Sequence, residues 1–517
     1  MRKTIICCLC LAASLALYAQ RPADFHQREL EELFQAFSLT NNAAGMGLAQ
    51  PSAGSKTQIR LYDEAGDYHL TQKGNEEMGF RFSTLRYDTF NDKLFMRGSF
   101  YYNLGKEKNR PWSDVMDPWF SIPYIYGSAV SKDYDSHDCG LTFDLYTAPL
   151  ANWISVGVRT KYRVADISGL LDPRPRTGYL NWQAVPSALV TLGAHHIGLD
   201  FGYGYSKEKL SNLTTVQTDP RIAYYKMTGL EHMDGAVLAY KGFKRQFEGG
   251  RFIGDLSYSY AAGPVSVLVS GGMEYGALSA IGDKMQITGT YNYLEYNGLV
   301  DATYRGGRLV HNLRVNGRYK DAGADEYIQE LVAEKNPDTG VTTQTWETIY
   351  VYRNRYMLKT WNIDASYRIY GGYSGKDYIW SAGLGGALEG FRKDYYLPSS
   401  HFLSSALNLS VNGSVRLFQV KGHKLELALD GSFRKSLGSD LTLTLDNEYV
   451  REVLTPDKAY YDKDALRASG SVTWTFPLSL GKAGKASGYL RVEGGHLAAF
   501  PEGRLSRAEV TIGLFTF

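Results

Sequence analysis

Residues 423–435 read His-Lys-Leu-Glu-Leu-Ala-Leu-Asp-Gly-Ser-Phe-Arg-Lys. Leu425, Leu427, Leu429, Gly431 and Phe433 alternate with Lys424, Glu426, Ala428, Asp430, Ser432 and Arg434. Successive side chains of a strand point to opposite faces, so this stretch has one oily face and one charged face. A soluble sandwich accepts one such strand. Here the pattern recurs along the whole chain, in strands of ten or more residues joined by short links and long loops in turn. That combination predicts an all-β fold, a transmembrane antiparallel up-and-down β-barrel.

Other strands repeat the rule. Ile154, Val156, Val158 and Tyr162 oppose Ser155, Arg159, Lys161 and Arg163. Val265, Val267, Val269 and Met273 oppose Ser266, Ser270 and Glu274, and Leu466, Val472, Trp474 and Phe476 oppose Arg467, Ser469, Ser471 and Thr473. The apolar members are expected to meet membrane lipid and the polar members the lumen, which makes Arg159, Lys161, Arg163, Glu274 and Glu426 lumen-facing. Arg159, Lys161 and Arg163 form a basic ladder that either biases a pore toward anions or pairs with Glu274 and Glu426 across the lumen.

Long connections are expected at 104–136, 166–177, 208–249, 321–345 and 438–465, with short ones between them. The count comes to about 18 strands, with a range of roughly 16 to 20, short periplasmic turns and long extracellular loops. Asn297-Gly298, Asn316-Gly317 and Asn412-Gly413 are hairpin-turn pairs by composition. Turns there would leave half-strands too short to cross a bilayer, so they are placed inside strands. The chain ends in Leu514-Phe515-Thr516-Phe517, an aromatic terminus of the kind that marks the last strand of outer-membrane barrels.

Ahead of the wall, residues 1–19 read as a secretory signal: Arg2 and Lys3, an apolar run from Ile5 to Leu17, and a cleavage site before Gln20. That run is too short for a spanning helix, which needs about 20 apolar residues. Cys7, Cys8 and Cys10 lie inside the signal, so the mature chain keeps only Cys139 and has no internal disulfide. In residues 20–56, Leu30, Leu33, Phe34 and Phe37 fall on one helical stripe. The segment is expected to be a helix that either caps the periplasmic rim or plugs the lumen, with residues 57–517 forming the barrel. No separate plug domain of a hundred or so residues is expected ahead of the strands.

A net charge of +2 gives no reason to expect a nucleic-acid partner. The 39 tyrosines suit a headgroup interface, where a ring is half apolar and half wet. No catalytic residues, metal ligands or cofactor site are expected: there is no Gly-x-Ser-x-Gly elbow, paired-cysteine spacing or phosphate-binding glycine loop. His195-His196 are neighbours on a strand and face opposite ways, which disfavours a shared metal.

The loop at 104–136 is the first candidate site. Trp112, Trp119, Phe120, Tyr124 and Tyr126 interleave with Asp114, Asp117 and Asp133, a mixture that suits a sugar, peptide or chelate, or a protein partner. It equally suits a loop that must pack on something. In Asp172-Pro173-Arg174-Pro175-Arg176 the prolines present Arg174 and Arg176, either to an anionic ligand or to loop carboxylates.

Several segments, taken in order, resemble a known family. They are Arg97-Gly98-Ser99-Phe100-Tyr101-Tyr102, Pro111-Trp112-Ser113-Asp114, Pro123-Tyr124, Lys161-Tyr162-Arg163, the Asp172–Arg176 loop, Tyr224-Tyr225 and Gly229-Leu230. In this order they resemble a family of Bacteroidota outer-membrane β-barrels of unknown function that accompany TonB-dependent receptors in uptake systems. The resemblance implies a Gram-negative outer membrane as the location and a TonB-dependent receptor as a partner, and a sealed barrel would add surface lipoproteins. It carries over no site residues. Three functional readings follow: an accessory channel or ligand-binding barrel of nutrient uptake, a sealed barrel serving as a membrane platform for partners, and an outer-membrane hydrolase.

Overall fold

A computed structural model describes residues 25–516 apart from 50–52, 121, 215–222, 235–243, 283–284, 336–337, 339 and 480–484. The expected signal at 1–19 lies outside the described residues. Eighteen strands form one antiparallel sheet. The strand Gly54–Gly66 pairs both with the next strand, Glu76–Asn91, and with the last, Arg504–Thr516, so the sheet closes on itself. Closure leaves the membrane-spanning wall without an edge, and its strands find their hydrogen bonds with one another. The wall begins at Gly54, slightly before the expected residue 57.

The barrel is inside out relative to a soluble protein. Leu199, Phe201 and Leu384 are each more than 60 % exposed on the outer face. Arg159, Asp144, Asp301 and Thr511 are buried on the inner one. A continuous apolar exterior of this extent is tolerable only against lipid. The strand His423–Thr442 follows its sequence pattern, with Leu429 outside at 59 % exposure and Glu426 buried inside.

One end of the barrel carries the short links and the other the long ones. At the turn end Lys421 and Gly422 both have positive φ, the conformation of a two-residue hairpin turn whose twist matches the strands. Exposed Trp153, Tyr258, Tyr304, Tyr367, Trp380 and Trp474 ring this end, an aromatic girdle at headgroup level. His195 belongs to it, 2.8 Å from the Tyr258 hydroxyl, whereas His196 is buried on the inner face beside Thr191. All three Asn-Gly pairs lie inside strands.

The loops are shorter than the sequence suggests, because the ladder outruns the alternation. Residues 104–110 and 132–136 are strand, and the strand resumes at Arg174 within the Asp172–Arg176 stretch. Most of 321–345 is also strand: Leu309–Lys335 and Thr342–Gly371 pair along nearly their full extent, with two breaks in register. Beyond the bilayer both faces of a strand meet water, so the apolar–polar alternation fades while the hydrogen bonding continues. Within 208–249, Tyr225–Gly229 pairs with His232–Asp234 and with Tyr126–Gly127, a small sheet over the loop end.

Candidate functional site: a polar chamber between two plugs

The lumen is filled from both ends. At the turn end, the helix Phe25–Phe34 sets Leu30 against Val310, Tyr370 and Tyr378 of the inner wall. Two short 3₁₀ turns follow, Ala36–Leu39 and Ala44–Leu48, and place Phe37, Ala44 and Met46 against Tyr87, Phe95, Tyr146, Leu189, Leu268 and Leu299. The stripe noted in the sequence therefore faces the inside of the barrel. Gly157 makes the close approach possible: a Cβ there would lie 2.7 Å from the Ala44 nitrogen. Polar groups fix the register, with the Ala44 N–H donating to Ser187 Oγ at 3.0 Å and the Asn41 amide donating to Asp255 at 2.9 Å.

A charged cluster pins the start of this floor. His26 is 3 % exposed, and its ring sits between Asp377, 2.9 Å away, and Glu426. Lys424 donates to Asp377 at 2.9 Å, and Arg416 donates to the same carboxylate. Burial pushes the Asp377 carboxyl up, yet the hydrogen bonds from His26, Lys424 and Arg416 outweigh it and hold the group well below the usual carboxylate range. Burial pulls His26 down, and its bonds to Asp377 and Glu426 more than reverse this, so the imidazole is shifted up.

The roof at the loop end is an aromatic and aliphatic core. Trp112, Val115, Ile122, Tyr124 and Ile125 pack with Met227, Leu230, Tyr449, Val453 and Leu454. Trp112 stacks on Tyr225 and donates its indole N–H to Glu452 at 2.8 Å. Asp114 accepts the Tyr126 N–H and holds buried Arg245 at 3.1 Å. Tyr124 donates its hydroxyl to the Asp325 carbonyl at 2.5 Å. Trp112, Asp114 and Tyr124 thus lie within the roof's packing, Trp119 is half-buried nearby, and Phe120 is 37 % exposed. Arg174 and Arg176 lie on the rim, each beside a local carboxylate, Asp172 at 2.8 Å and Asp166 at 3.0 Å.

Between floor and roof lies a cavity of about 760 Å³. Its floor is Ser38, Leu39, Thr40 and Asn41, and its walls include Arg159, Lys161, Glu274, Asn297, Arg318 and Asn362. A second space of about 480 Å³ adjoins it through shared Glu295, Arg318 and Asn362 and reaches Phe120, Tyr460 and Tyr461 of the roof. The basic ladder does face the lumen, but its carboxylates are next door and not across the barrel. Arg159 is bound by Asp144 at 2.6 Å, Arg163 by Asp138 at 2.9 Å, and Lys161 reaches Asn41 of the floor. Glu274 takes the Tyr293 hydroxyl at 2.6 Å and lies 3.5 Å from Arg251, while Glu426 belongs to the floor cluster. The chamber's lining carries four cations, Arg97, Arg159, Lys161 and Arg318, against four carboxylates, Asp255, Glu274, Glu295 and Asp364, among amides and hydroxyls, so its net charge is close to zero. Asn297, Asn362, Arg318 and the cluster at Asp377 escaped the sequence reading. The first three are inward members of the alternation, and nothing in a sequence pairs His26 with a turn some 350 residues away.

A closed 18-stranded barrel whose lumen is occupied from both ends defines an outer-membrane-type β-barrel with a polar chamber between its two plugs. The chain belongs to the family described as "Family of unknown function (DUF6850)", whose sequence profile matches residues 43–516. No curated protein matches it. Among solved structures it is similar to OccK8 (OprE) of Pseudomonas aeruginosa, at 10 % identity and TM-score 0.32 over 90 % of this chain and 99 % of that one. It is likewise similar to a FadL homologue of P. aeruginosa, at 9 % identity and TM-score 0.33 over 97 % and 99 %. The FrpB iron transporter from Neisseria meningitidis matches at 12 % identity and TM-score 0.37, over 89 % of this chain and 81 % of that one. At these values the likenesses add nothing to the reading of the chamber.

Proposed function

We propose that the protein is a ligand-binding barrel of nutrient uptake in the outer membrane of a Gram-negative bacterium, with its turn end in the periplasm and its loop end outside. A polar, electrically neutral or zwitterionic solute enters past Phe120, Tyr460 and Tyr461 and is held by the mid-barrel amides and hydroxyls. The observation that carries this reading is the chamber itself, a polar space of about 760 Å³ closed below by residues 38–41. Wide barrels keep their lumen either water-filled or plugged, and this one is plugged around a cavity of ligand size. A TonB-dependent receptor of the same membrane is the partner that would supply energy for release, and no catalytic role is assigned.

The test is to release small solutes from protein purified in mild detergent and to identify them by mass spectrometry. A polar solute is expected from the wild type and not from Asn297→Trp, which fills the chamber. Equal yields from both, or none from either, contradict the reading. Co-purification with a TonB-dependent receptor tests the partner separately. The sealed-platform reading is favoured by a different observation, the filling of both lumen ends, and predicts no bound solute at all.

A further inference from the structure

The two longest strands continue past their neighbours. Gly289 is the last residue of the adjoining wall strand to pair with Leu309–Lys335, opposite Glu326, and Tyr395 is the last to pair with Thr342–Gly371, opposite Tyr356. Residues 327–335 and 342–351 then pair only with one another among the described residues, a free two-stranded ribbon. At about 3.3 Å per residue it rises roughly 30 Å beyond its neighbours. An isolated two-stranded ribbon is marginal in water.

Its composition makes this worse. Glu330 and Glu347 are directly opposite each other, a like-charge pair that costs stability. Glu330, Glu334 and Glu347 are exposed and have no ion-pair partner among the described residues. Ile328 and Tyr350, also opposite each other, are exposed by 41 % and 56 %, and Ile349 beside them by 64 %. The edge at 342–351 has one charge, no proline and no glycine, none of the usual devices that protect a free edge. At the ribbon's foot, Met285 (φ 62°) and Leu397 (φ 63°) are held in left-handed backbone that bulky side chains rarely adopt, and are exposed by 72 % and 68 %. Elsewhere the described parts of three long loops, around Trp112, Met227 and Tyr449, fold inward into the roof. Here apolar groups are offered outward, beside unpaired carboxylates.

We infer that this ribbon, residues 327–335 and 342–351, is a docking arm for a cell-surface protein that presents a basic face and adds an extended strand to the 342–351 edge. Charge selects the occupant. A second copy of the chain would bring Glu330, Glu334 and Glu347 against themselves, and anionic glycolipid would meet the same repulsion. A basic protein neutralises them while burying Ile328, Ile349 and Tyr350, and strand addition supplies the missing backbone partners. The inference rests on the proposed orientation, with the loop end outside.

The experiment places p-benzoylphenylalanine at position 350 in intact cells. A cysteine at Thr345, labelled with a membrane-impermeant maleimide, first checks orientation: no labelling sinks the orientation itself. With labelling, irradiation is expected to give one protein adduct, identified by mass spectrometry as having a basic surface. Its yield should fall at least tenfold in Glu330→Lys/Glu347→Lys while the barrel's heat-modifiable gel shift is unchanged. An adduct to the chain itself, to glycolipid or to nothing, or one indifferent to the charge reversal, overturns the docking arm.

Discussion

Floor and roof close the same lumen by different physics. The roof is an ordinary core of Trp112, Tyr124, Met227, Leu230, Tyr449 and Val453, contributed by three separate loops. The floor is one short length of chain whose apolar anchors, Leu30, Phe37, Ala44 and Met46, are spaced along it, held at its start by buried charges around His26 and along its length by single hydrogen bonds to the wall. Hydrophobic packing is non-directional and gives way as a unit, whereas a charged latch depends on a few atoms and on their protonation. The roof is therefore built to move only as a unit, and the floor to be released at a few contacts.

The largest effect should come from breaking the roof's polar centre. Arg245→Met leaves Asp114 buried without its cation, at a cost of about 3–5 kcal/mol. Hydrogen exchange should show 111–131 and 443–463 opening together, with 25–48 unchanged. If the floor opened equally, the two plugs would be one unit. Next in size is Gly45→Ala. The added Cβ would lie 2.1 Å from the Phe37 ring, so the floor must shift, at about 1–3 kcal/mol, with the change confined to 25–48 in the same measurement.

The pH response sharpens the contrast further. Because the folded His26 pKa lies above its ordinary 6.5, its contribution is complete below 6.5 and is lost as pH rises through the folded value. Asp377 is depressed, so its contribution is lost only as pH falls below the usual carboxylate range. Relative to the base-catalysed intrinsic rate, protection of the floor amides should therefore fall on the alkaline side of 6.5, and His26→Gln should abolish that loss. A wild-type floor whose protection is indifferent to pH between 6 and 9 would remove His26 from the latch. The smallest effect is expected from Arg176→Ala, an exposed pair on the rim worth about 0–1 kcal/mol, with neither plug responding.

Much of this architecture was legible in the sequence. Strands such as 423–435 announce themselves because lipid and lumen demand opposite chemistry at alternate positions, and that demand fixes both the count of 18 and the inward face of Arg159, Lys161 and Glu274. Above the bilayer the demand ends, which is why 321–345 reads as a loop although residues 321–335 and 342–345 belong to paired strands. The stripe of Leu30 and Phe37 shows that one face is covered, not by what. The chamber is a product of closure: Asn297 and Asn362 come from different strands, and only their meeting with Ser38–Asn41 makes a space.

The central claim is that residues 25–48 seal a barrel whose wall is complete without them. Single-channel recording in a planar bilayer tests it directly, comparing the intact protein with a variant lacking 25–48. The intact protein should be silent, and the variant should show a raised conductance with brief openings while the roof persists. A wild-type protein that conducts steadily, or a folded deletion variant as silent as the parent, would contradict the account.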